Sequence, residues 1–145
     1  MDSLRVRDYM RKQPISFSPT TQVTAAVEAL LKEKQLGGPV LDSNHRVMGW
    51  LSEQDCLASM VESTYYCESN ATVSDVMSTE VLTIKPDMGI VDLAQLMTKN
   101  KPKIYPVLND EGCLIGTISR RDVLAAIDSH VASCFAKASG HNAYR

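Results

Sequence analysis

The sequence predicts an α+β protein built from two β-α-β-β-α repeats packed with pseudo-two-fold symmetry. Displaced by 67 positions, the chain aligns with itself: residues 6–60 lie against 73–127 without a gap, and 14 of the 55 pairs are identical. Many of the other pairs keep apolar character, as in Ile15/Leu82, Val47/Leu114 and Leu51/Ile118. The strand-like and helix-like hydrophobic patterns also follow each other in the same order in both copies.

Each copy opens with a short lead-in turn, at 5–10 and 72–77. Residues 14–18 and 81–85 then alternate as short strands, closed by Pro19 and Pro86. The first long helix covers 21–34, where Val23, Ala26, Val27, Leu30 and Leu31 recur at helical spacing and Thr21 is the expected N-cap. Ile90, Leu93, Ala94 and Met97 repeat that spacing in copy two. Strands at 37–42 and 105–110 end in Asp/Asn/Gly turn chemistry and pair as hairpins with 46–52 and 113–119. The last helices, 52–61 and 119–128, each begin with Ser-x-x-Asp. The organisation expected is a first repeat over 1–61, a polar surface linker over 62–72, a second repeat over 73–128, and a helix extension and tail over 129–145. A repeat of this size buries little apolar surface alone, so the two are expected to pack on each other.

Composition excludes several classes. With 15 Lys and Arg against 17 Asp and Glu, the formal charge of −2 provides no field for nucleic-acid backbones. No apolar run reaches the roughly 20 residues needed to cross a bilayer, and the polar first ten residues lack a secretion-type core, so a cytoplasmic protein is expected. Cys56, Cys67, Cys113 and Cys134 form no C-x-x-C pair, and His45, His130 and His141 stand apart, so metal ligands are not expected. Neither a nucleophile–base pair nor a Gly-x-x-x-x-Gly-Lys loop is present, so no catalytic residues and no required cofactor are expected.

Gly38-Pro39-Val40 and Tyr105-Pro106-Val107 open equivalent strands. Gly-x-x-Ser-x-x-Asp occurs twice, from Gly49 to Asp55 and from Gly116 to Asp122. With the element order, these motifs resemble cystathionine-β-synthase (CBS) domains paired as a Bateman module, over about residues 6–127. The resemblance implies a stand-alone CBS-domain protein, a disc of two repeats with two pseudo-symmetric clefts, and a homodimer. It also implies adenosine compounds as regulatory ligands: AMP, ADP, ATP or S-adenosylmethionine. The function expected is a regulatory nucleotide-binding module that senses its ligand and signals by conformational or dimer change to an unknown protein target. The alternative is a ligand-free structural module that pairs with another chain.

Ser52 with Asp55, and Ser119 with Asp122, are read two ways: as capping boxes, and as carboxylates that accept a ribose diol beside a helix N-terminus. By resemblance, the base would meet Ile15 and Ser16 or Leu82 and Thr83, together with Gly38-Pro39 or Tyr105-Pro106; a core role is the competing reading for each. Phosphate would be met by Lys101, Lys103, Arg120 and Arg121, where copy one offers Leu36, Gly37, Glu53 and Gln54. The clefts are therefore expected to differ, with Ser52, Asp55, Lys103 and Arg121 forming the better anionic site. A solvated charged face is the competing reading of these cations. Trp50, opposite Thr117, is read as a packed strand residue or a stacking surface.

Overall fold

The computed structural model describes residues 4–66, 70–99 and 102–139; Cys67, Lys101 and His141 lie outside them. After a 3-10 turn at Val6–Asp8, the chain forms α1 (Val23–Glu33), β1 (Gly37–Leu41), β2 (Val47–Ser52), α2 (Glu53–Tyr66) and α3 (Val73–Val76). It continues through α4 (Ile90–Met97), β3 (Ile104–Leu108), β4 (Leu114–Ser119) and α5 (Arg120–Ser139). No helix of the described residues is long and apolar enough to cross a membrane.

β1 pairs with β2 and β3 with β4, both antiparallel, and each pair shifts register at the same step, between Val40 and Leu41 and between Val107 and Leu108. The hairpin turns match as well. Asp42 Oδ1 accepts from the N–H groups of Asn44 and Arg46, and Asn109 Oδ1 from those of Glu111 and Cys113. Both turns need one residue with a left-handed backbone, supplied by Gly112 at φ 84° and by His45 at φ 65°. A β-carbon makes that conformation costly, so only Gly112 adopts it freely.

Two expectations are corrected. The strands expected at 14–18 and 81–85 are single parallel bridges, Phe17 to Val40 and Ile84 to Val107. The Phe17 N–H donates to Pro39 O at 3.0 Å, and Phe17 O accepts from Leu41 N at 2.8 Å. The next ladder donor would be residue 19 or 86, a proline without an N–H, so pairing stops there. Thr21 does not cap α1: Gln22 holds the cap position, with no side-chain bond. Backbone from the other half of the chain does the work instead, with Val23 N donating to Ala71 O at 3.0 Å and Val73 N to Thr21 O at 2.8 Å.

That exchange is reciprocal. Ile90 N, at the start of α4, donates to Leu4 O at 2.9 Å. Each lead-in thus closes the first helix of the opposite repeat, and the cores follow. One core joins Val73 to Phe17, Val23, Ala26, Leu30, Val40, Leu51 and Cys56; the other joins Leu4 and Val6 to Ile84, Ile90, Leu93, Tyr105, Val107 and Ile118. Val6 and Val73 are fully buried, and each such burial stabilises by about 1.5–3 kcal/mol. The lead-ins differ where Thr72 faces Arg5 in the alignment. Thr72 and Asp75 form a complete capping box, and α3 is α-helical; Arg5 makes no side-chain cap, and the equivalent turn is 3-10. The Thr72 backbone N–H, and then its hydroxyl, hold the Asp75 carboxyl below its usual value.

Candidate functional site

The Ser-x-x-Asp segments are capping boxes. Asp55 Oδ2 accepts from Ser52 N at 3.2 Å and from Ser52 Oγ at 2.8 Å, while Asp55 N donates to Ser52 Oγ at 3.1 Å. Asp122 Oδ2 accepts from Ser119 N at 2.9 Å, and Asp122 N donates to Ser119 Oγ at 3.1 Å. Each aspartate uses Oδ2 for its cap, so Oδ1 has no hydrogen bond among the described residues. The cap and an open carboxylate oxygen coexist on one side chain.

A second symmetric bond locks these helix starts to the strand entries. Glu53 N donates to Leu36 O at 3.0 Å and Arg120 N to Lys103 O at 2.7 Å. Lys103, Arg120 and Arg121 are thereby held around one helix N-terminus, where the helix dipole favours anions.

Two cavities lie where the repeats meet. The larger, about 540 Å³, is lined by Ser119, Arg120, Arg121 and Asp122 from the α5 start, Lys103, Ile104 and Thr117 from the second repeat, and Arg11, Lys34, Gln35 and Leu36 from the first. The smaller, about 350 Å³, is lined by Ser52, Glu53, Gln54, Trp50 and Leu36 with Pro102, Lys103 and Ile104. Five cations and one carboxylate border the first; Lys103 and Glu53 border the second. Among the described residues none of the five cations makes an ion pair within 4.0 Å.

The expected grouping of Ser52 and Asp55 with Lys103 and Arg121 is therefore divided. Lys103 borders both cavities, Arg121 only the larger, and Asp55 lines neither. Lys103, Arg120, Arg121, Ser119 and Asp122 come together; the base-contact candidates do not join them. Gly38, Pro39, Tyr105 and Pro106 are buried within the strands, and Ile15 packs on Gly38, where an added β-carbon would meet Ile15 Cγ2 at 2.9 Å. Leu82 and Thr83 are exposed, and Ser16 lines a separate depression with Phe17 and Asp42.

Trp50 accounts for part of the difference in size. Its indole lies over Gly37, whose added β-carbon would sit 2.8 Å from Trp50 Nε1, whereas the equivalent Thr117 is small. Arg11 and Lys34 were not foreseen as site residues. Arg11 is brought in because its backbone bridges Thr117, with Arg11 N donating to Thr117 O at 2.7 Å and Arg11 O accepting from Thr117 N at 3.0 Å. Lys34 ends α1 in a left-handed conformation at φ 55°. Beside the site, burial and then the Asp55 carboxylate push the Cys56 thiol up from its ordinary value, which keeps it protonated.

The family model described as "CBS domain" matches residues 6–62 and again 73–129. The chain belongs to the CBS domain family. Among relatives of this CBS pair, the uncharacterized protein MJ1426 of Methanocaldococcus jannaschii is 31% identical, over 84% of this chain and 90% of that protein. Inosine-5'-monophosphate dehydrogenase of Nitrosopumilus maritimus is 28% identical over 79% of this chain, which spans only 22% of the enzyme. Among solved structures, CBSX2 from Arabidopsis thaliana in complex with AMP superposes with a TM-score of 0.76 at 28% identity, covering 88% of this chain and 98% of that one.

Proposed function

We propose that this CBS pair is a regulatory module that binds an adenosine nucleotide between its repeats and signals its occupancy through their arrangement or through a dimer. One observation carries the reading: the 540 Å³ cleft joins an open Asp122 carboxylate oxygen to a ring of cations contributed by both repeats. A carboxylate accepts a ribose diol and the cations meet phosphate. The similarity to CBSX2, crystallised with AMP, supports the same ligand class. Because both repeats line the cleft, a ligand that prefers one arrangement of them shifts the population toward it. The module is read as non-catalytic and cytoplasmic, acting on a protein target still to be identified. Leu57 and Leu124, equivalent residues on α2 and α5, are 65% and 67% exposed, which supports a homodimer closing over these helices.

Thermal melting with AMP, ATP and S-adenosylmethionine tests the ligand. A compound at a hundredfold excess over its Kd stabilises the native protein by about 2.7 kcal/mol. Silence toward all three would favour the ligand-free interaction module, for which the apolar groove between α1 and α2, lined by Leu30, Leu31, Cys56, Leu57 and Met60, is the surface to examine. Light scattering of the purified chain measures its oligomeric state.

A further inference from the structure

We infer that His130 and Cys134 of α5 are half of a binding site for a zinc-class cation, and that a second copy of this chain supplies the other half. Neither residue lines either cleft, and the pairing of copies rests on the homodimer read above.

The two residues are four apart on one helix, the spacing that stacks side chains on the same face. Cys134 Sγ lies 3.4 Å from His130 Nε2. A tetrahedral zinc, with bonds of about 2.3 Å to sulfur and about 2.0–2.1 Å to nitrogen, sets two such ligands about 3.5 Å apart. The pair therefore already stands at chelating distance. A thiol is a weak hydrogen-bond donor, so the contact gains little until a cation takes the place of the proton between the two atoms. As the Sγ–metal bond forms, that proton leaves to solvent. Thiolate sulfur with imidazole nitrogen suits zinc, not magnesium or calcium. Cys134 is a free and exposed thiol, open to such an ion. The first repeat has no equivalent pair: Ser63 stands at the position matching His130, and its hydroxyl donates back to Ser59 O at 3.3 Å.

Structural zinc sites have four protein ligands, and one chain brings two. Among the described residues no third His, Cys, Asp or Glu gathers with this pair. Symmetry supplies what one chain lacks. At the displacement of 67 the end of α2, Tyr66, matches Ser133, and α5 continues past it to Ser139, so Cys134 stands beyond the repeated part of the helix. Leu124, Val131 and Phe135 recur at i, i+7 and i+11 as one stripe along α5, and they are 67%, 40% and 53% exposed. This stripe carries the dimer face at Leu124 toward the helix end. Val131 and Phe135 each follow a ligand by one residue, so the stripe runs beside the chelate. A second copy that covers it about a two-fold axis brings its own His130 and Cys134 to the first pair. Two thiolates and two imidazoles around one ion form the tetrahedral set that zinc takes.

Titration of the full chain, reduced and stripped of metal, with cobalt(II) tests the site by absorbance. Expected are a thiolate-to-cobalt charge-transfer band and the intense d–d bands of a four-coordinate ion, saturating at one cobalt per two chains and displaced by zinc. Cys134→Ser is expected to abolish the charge-transfer band, and His130→Ala to weaken binding about tenfold or more, both with wild-type melting temperatures in the absence of metal. Cys113→Ser is expected to bind as the wild type does. No charge-transfer band, saturation at one cobalt per chain, or wild-type binding by Cys134→Ser would overturn the inference. A chain that light scattering shows to be dimeric, yet that holds no shared cobalt, would overturn the metal site and leave the homodimer standing. A chain that stays monomeric with zinc would overturn both.

Discussion

Gly49 lies directly beneath Met77: a β-carbon built on Gly49 would stand 2.5 Å from Met77 Sδ and 2.9 Å from Ser78 O. Gly116 has the same relation to Met10, at 2.9 Å from Sδ, and to Arg11 O, at 2.7 Å. The glycine of each Gly-x-x-Ser-x-x-Asp motif is thus where the opposite lead-in crosses the sheet, held by backbone bonds such as Trp50 N to Ser78 O at 2.8 Å. Gly49→Ala and Gly116→Ala are each expected to destabilise by about 1–3 kcal/mol, because the crossing backbone has to shift. Urea denaturation measures this, and wild-type stability in both variants would show that the lead-ins do not hold the halves together.

His45 occupies the turn position that Gly112 fills in the other repeat, and it carries the cost of a left-handed backbone. His45→Gly is expected to stabilise the protein, by roughly 0.5–1 kcal/mol, since the native conformation suits glycine. A higher melting temperature is the expected readout. A drop would mean that the imidazole makes a compensating contact.

Tyr105 is fully buried, and its hydroxyl has no hydrogen-bond partner among the described residues. Burial pushes its phenol above the ordinary value of 10.0. The unfolded chain therefore releases this proton first, so the contribution to stability is full below about pH 10 and is lost as pH rises through the folded value. Tyr105→Phe keeps the ring and removes the unpaired group; it is expected to gain about 1 kcal/mol at neutral pH and to flatten the alkaline fall. Denaturation midpoints at neutral and alkaline pH check both.

Asp55 and Asp122 make matching caps but meet different surroundings, since only Asp122 lines the larger cleft. Replacing either by alanine is expected to cost about 1 kcal/mol of stability through the lost cap. Nucleotide affinity separates them: Asp122→Ala should lose about tenfold or more, while Asp55→Ala stays near wild type. Equal losses in calorimetry would show that the two clefts are equivalent.

The order of elements, the hairpin turns and both capping boxes were legible in the sequence because each depends on residues near one another along the chain. Asp42 or Asn109 makes its turn within four residues, and Ser52 meets Asp55 within three. A gapless duplication also made the pairing of helices and strands readable twice. Pro19 and Pro86 marked where the first strands had to stop, yet the shortening to one bridge depended on β1 and β3 lying alongside.

What only the tertiary structure decided is which parts of one repeat serve the other. Val73 completes the core of the first repeat and Val6 that of the second, so the packing units are not the sequence repeats. The same crossing carries Arg11 onto Thr117, and the close of α1 carries Lys34 to the cleft that holds Arg120 and Arg121. Periodicity and motif spacing report local geometry, whereas these groupings arise when distant segments satisfy each other's backbone hydrogen bonds. For that reason the sequence by itself determined two similar halves with an unequal share of basic residues, and only the packing of one half on the other decided which cleft collects them.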